Sequence, residues 1–79
     1  MIPPKTDPIW REIVDRTEDY EVSSLPTKML FMRIKMLRHN GTSQSMTDAI
    51  NAAFDFFSKN REAVRDDIEV VFGKQNEQK

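Results

Sequence analysis

Between Ser45 and Ser58 apolar side chains cover more than half of a helical circumference. Met46, Ala49, Ile50, Ala52, Ala53, Phe54, Phe56 and Phe57 occupy an arc of about 200° at 100° per residue. One packed neighbour needs a stripe of about 100°, so this helix expects two. Ala49, Ala52 and Ala53 allow close approach along one edge. The chain has 79 residues, which fits one domain burying roughly 60–65% of its unfolded surface. A core of that size seldom supplies more than about 3–5 kcal/mol unaided. With no cysteine in the chain, disulfides, thiolate metal sites and thiol catalysis are excluded. Self-association is the remaining device for stabilising so small a fold.

The rest of the chain shows the same helical periodicity. Asp7-Pro8 is a helix start, because Asp caps free amides and Pro needs no N–H partner in the first turn. Ile9, Trp10, Ile13 and Val14 then share one face, and the helix should fade near Thr17. Thr17 to Ser24 is acidic and polar and reads as a connecting loop from which Tyr20 can dock on the bundle. Ser24-Leu25-Pro26 opens a second helix running to His39 or Asn40, and Gly41 suits the left-handed position that ends it. Met29, Leu30, Ile34, Met36 and Leu37 form its apolar side, and Phe31 and Met32 lie at the boundary. Ser45-Met46-Thr47-Asp48 matches a capping box for the third helix. Asn60 is placed to cap a last helix, with Val64, Ile68, Val71 and Phe72 as its stripe, ending before Gly73. The expected architecture is all-α: a small bundle of three to four amphipathic helices in a single domain at residues 7–73. Residues 1–6 read as a flexible tail, and residues 74–79 as a disordered one.

Twelve basic and thirteen acidic residues leave a net charge of −1. Broad binding to nucleic acid or anionic lipid needs an excess of Lys and Arg, so neither is expected. No apolar run approaches the roughly 18 residues of a membrane span, and Met1 to Pro8 lacks the apolar region of a signal peptide. The expectation is a cytoplasmic protein.

Catalytic chemistry finds little support. His39 is the single histidine and falls at a helix end, where a cation is favoured by the helix dipole. Asp48, Asn51 and Asp55 share the polar face of the third helix, and Asp48 is explained by capping. Asp66 and Asp67 are about 100° apart on a helix and do not converge. Gly41 and Gly73 stand alone, so there is no phosphate loop. No enzyme activity, cofactor, metal or small-molecule substrate is expected.

Arg33 is the anomaly. By phase it lies among Met29, Leu30, Met36 and Leu37, where a buried charge needs a partner. Either its stem snorkels and its head reaches water or a local carboxylate, or it pairs with an acidic residue across a protein contact. Met29, Met32, Met36 and Met46 add adaptable surface. These features point to a small helical interaction module, an adaptor, inhibitor or accessory subunit, that binds a protein partner or a second copy of itself. The candidate interface is Met29, Arg33, Met36, Met46, Ile50, Phe54, Phe56 and Phe57.

Leu25-Pro26, the following helix, Gly41 and Ser45-Met46-Thr47-Asp48-Ala49-Ile50 with Ala53 also resemble the ribbon-helix-helix repressors. The resemblance implies a dimeric DNA-binding regulator with an intermolecular strand at Tyr20 to Leu25. The outward positions of that strand, Tyr20, Val22 and Ser24, carry no basic or amide side chain suited to base edges. Its inward positions, Glu21 and Ser23, are polar, and Glu18, Asp19 and Glu21 repel phosphate.

Overall fold

The computed structural model describes residues 2–77, with side chains to residue 73. Four helices make up the fold: α1 (Ile9–Asp15), α2 (Leu25–Arg38), α3 (Ser43–Lys59) and α4 (Arg65–Glu77). A 3-10 turn, Thr17–Asp19, follows α1. No strand occurs among the described residues, and none of their helices is long and apolar enough to cross a membrane.

Local chemistry sets most of the boundaries. Asp7 Oδ1 accepts from the Ile9 amide at 2.9 Å and opens α1. The Ser24 hydroxyl accepts from the Thr27 amide at the start of α2, with Pro26 in the first turn. Gly41 adopts φ 69° and donates its amide to Arg38 O, which ends α2. The box at the start of α3 sits three residues earlier than Ser45-to-Asp48. Thr42 is the N-cap: its Oγ1 accepts from the Ser45 amide, and Ser45 Oγ accepts from the Thr42 amide, both at 3.0 Å. Either hydroxyl residue can cap, and Ser45 at the third helical position reaches back as a Glu or Gln would. Asp48 is instead bonded to Gln44 Nε2.

Asn60 also differs from its expected role. Its Nδ2 donates to Phe56 O, closing α3 rather than capping α4. A turn at residues 61–64 intervenes, and α4 begins at Arg65. That helix passes through Gly73 to Glu77, so a lone glycine, costing about 1 kcal/mol in a helix, does not stop it. The part of the expected C-terminal tail at 78–79 lies outside the described residues.

The core joins Trp10, Ile13 and Val14 of α1, Leu30, Phe31 and Ile34 of α2, Ala49, Ala53 and Phe57 of α3, and Ile68, Val71 and Phe72 of α4. Trp10 lies at the centre of its aromatic part. Its ring stands edge-on to Phe54 at 5.4 Å and to Phe72 at 5.3 Å, and Phe57 meets Phe72 at 5.6 Å. Such pairs add about 0.5–1.5 kcal/mol each beyond burial. The Trp10 indole N–H donates to Pro4 O at 2.9 Å, and Ile2 packs against the core. Residues 2–6, read from sequence as a tail, therefore lie against the bundle.

Two polar ties fix the helices laterally. Arg38 pairs with Glu18 at 2.6 Å and donates to Asp15 O, fastening the end of α2 to the end of α1. Asp67, in the first turn of α4, is 1% exposed. It accepts from the amides of Ser23 and Ser24 and from the Ser24 hydroxyl, and so covers the open N-terminus of α2.

Candidate interaction surface

The residues expected at an interface separate into three groups. Phe57 is fully buried and belongs to the core of the single chain. Met46, Ile50, Phe54 and Phe56 are half-buried and pack against that core. The wide face of α3 thus packs on α2 and α1, the latter through Trp10–Phe54, and reaches α4 through Phe57–Phe72. The two neighbours that its arc requires are supplied within the chain, and a third is added. Met29, Arg33 and Met36 are exposed on α2.

The open apolar surface is on α2. Leu25, Met29, Met32 and Met36 are 67%, 60%, 63% and 74% exposed. Their steps of four, three and four residues place them in one line along the helix. The buried face, Thr27, Leu30, Phe31 and Ile34, lies about 180° away at 100° per residue. Apolar residues surround most of α2 because it has two apolar faces, one turned to the core and one to solvent. Leu25 and Met32 are absent from the interface expected from sequence, although the 25-29-32-36 spacing carries the signal.

Arg33 borders this stripe on one side, and Lys28 and Lys35 border it on the other. All three are exposed, and none forms an ion pair among the described residues. Among the described residues Arg33 pairs with no carboxylate. It faces an open groove whose α3 wall includes Asp48, Asn51 and Asp55, with Asp55 taken by Lys59 at 3.1 Å. Glu18 and Glu21 line a shallow depression with Lys28 and Lys35. A backbone amide and the Arg38 and Lys35 charges hold the Glu18 carboxyl below its ordinary value despite some desolvation. From Leu25 to Arg38, α2 carries four basic residues and no acidic one, in a chain of balanced charge.

No group of three or more potential metal ligands gathers among the described residues. His39 stands at the C-cap of α2. Compared with protein-family models, curated proteins and solved structures, the chain matches none.

Proposed function

We propose that this chain is a small helical protein–protein interaction module, an adaptor, inhibitor or accessory subunit, that acts by binding rather than by catalysis. The carrying observation is the outward stripe of Leu25, Met29, Met32 and Met36. Exposed large apolar residues aligned on one helix face mark a contact site more often than they serve the monomer. Methionine suits such a face, because its unbranched side chain adapts to a partner's contours. A second copy of the chain and a different protein both offer a helix to cover the stripe.

The ribbon-helix-helix reading is less well supported. It needs Tyr20 to Leu25 free to pair with a second chain. The amides of Ser23 and Ser24 are donated to Asp67, and the Tyr20 ring packs at 6.3 Å from Phe31.

The test compares the wild type with a Met29→Ser/Met36→Ser variant. Size-exclusion with light scattering over a range of concentrations reads self-association, and capture from nuclease-treated extract reads heteromeric partners. The wild type should self-associate or retain a protein that the variant loses. Identical behaviour of the two proteins in both measurements removes the stripe as the functional face. Salt-sensitive retention on duplex DNA by both would favour the ribbon-helix-helix reading.

A further inference from the structure

Resting on that reading, we infer that the α2 stripe receives an amphipathic helix from a different protein, one whose positions beside its own apolar seam carry Asp or Glu. The stripe has the alternating four–three spacing of a coiled-coil seam, with Met29 and Met36 at one type of core position and Leu25 and Met32 at the other. Arg33 then falls at the e-type flank, and Lys28 and Lys35 fall at the g-type flank. Residues at these flanks set partner choice and orientation.

Like charge opposes a second copy in either orientation. In a parallel pair a g residue meets the e residue five positions on in the partner helix, which sets Lys28 against Arg33 twice. In an antiparallel pair g meets g, which sets Lys28 against Lys35 twice. Carboxylates at the corresponding partner positions convert each of these repulsions into an attraction. Within the chain, Glu18 and Glu21 approach the Lys28–Lys35 edge. Glu18 is engaged by Arg38, and both lysines remain outside any ion pair among the described residues. On the Arg33 side the facing carboxylates are Asp48 and Asp55 of α3, and neither forms an ion pair with it.

Two synthetic helices test this by fluorescence anisotropy with the full chain. Both carry Leu along the seam; one has Glu on both flanks and the other Lys. The acidic peptide should bind at least about tenfold tighter than the basic one, and added salt should weaken it. Its binding should be lost in Met32→Ser, with the thermal melt unchanged, and its advantage should shrink in Arg33→Glu. Equal binding of both peptides, abolished by Met32→Ser, would leave α2 as the interaction face but overturn the acidic partner. Failure of the acidic peptide to bind overturns the inference too. If the protein is then a dimer that Met32→Ser dissociates, the occupant is a second copy and the interaction-module reading stands.

Discussion

Ser24 Oγ donates a 2.6 Å hydrogen bond to Asp67 Oδ2 across 43 residues of sequence. That contact ties the first turn of α4 to the N-cap of α2. Ser24 also accepts from the Thr27 amide, so one side chain caps its own helix and anchors another. Asp67 takes up the amides of Ser23 and Ser24 as well, adding a negative charge at the positive end of α2. Asp67→Ala removes the acceptor from the amides and hydroxyls of Ser23 and Ser24, four donors, and should cost on the order of 3 kcal/mol. Asp67→Asn keeps the shape but loses the charge and should cost less. Urea unfolding of the three proteins checks the ranking.

Acid should act through the same carboxyl. Burial pushes Asp67 up, but the hydrogen bonds from Ser24 and Ser23 outweigh it and hold the carboxyl below its ordinary value. A depressed folded-state value means that the stabilisation is complete above the unfolded-state value, about 4. It is then lost as pH falls through the folded-state value. The melting temperature of the wild type should therefore fall below about pH 4 more steeply than that of Asp67→Asn. Parallel curves for the two proteins would remove Asp67 from the acid response.

The two faces of α2 and the interior of α3 should separate stability from binding. Met32→Ser and Met36→Ser alter solvent-facing side chains and should shift stability by no more than about 0.5 kcal/mol. Phe57→Ala empties a fully buried site and should cost about 3–5 kcal/mol. Calorimetric melting checks this contrast. A large loss at Met36 would mean that the stripe is packed within the single chain.

Helix boundaries were legible where capping is local. Asp7-Pro8, Ser24-Leu25-Pro26 and the left-handed Gly41 each act within three or four residues, and each does what its chemistry predicts. The start of α3 was less determinate, because Thr42 and Ser45 are both hydroxyl residues three apart and either can cap. Asp67 was opaque: the donors it serves are remote in sequence, and spacing within α4 says nothing of them. On α2 the difficulty was the second apolar face. With apolar residues around most of the helix, periodicity alone does not say which stripe turns inward, and Arg33 looked buried when the core was on the other side. The surplus on α3 was legible as a demand for two neighbours, but α1 and α2 meet it within the chain.

The turn between α2 and α3 offers a sharp local test. An added Cβ at Gly41 meets nothing within 4 Å, so any cost of Gly41→Ala comes from its φ of 69° and not from crowding. That cost should be about 1–2 kcal/mol, and Gly41→Asn should cost less, since Asn tolerates the left-handed region. One residue on, Thr42→Ala should lose about 0.5–2 kcal/mol through the cap. Ser45→Ala should overlap with it in a double-mutant cycle, because the two side chains form one reciprocal box. Additive losses would show that the two hydroxyls act separately.

Trp10 links the aromatic core to the start of the chain, and its indole N–H can be removed with most of the ring retained. Trp10→Phe deletes the donor to Pro4 O and its longer contact to Pro3 O at 3.3 Å. A net loss of about 1 kcal/mol is expected for the hydrogen bond, with a further cavity term from the smaller ring. The more specific consequence is local. Lys5 lies on the segment that those two carbonyls pin, its Nζ 5.9 Å from the centre of the Phe54 ring. Once the pin is gone, that segment should open without global unfolding. Limited trypsin digestion under native conditions should then cut after Lys5 faster in Trp10→Phe than in the wild type, with cleavage after the α2 lysines changed only in proportion to overall stability. An unchanged rate at Lys5 would mean that Ile2 and the proline-rich backbone hold the segment without the indole.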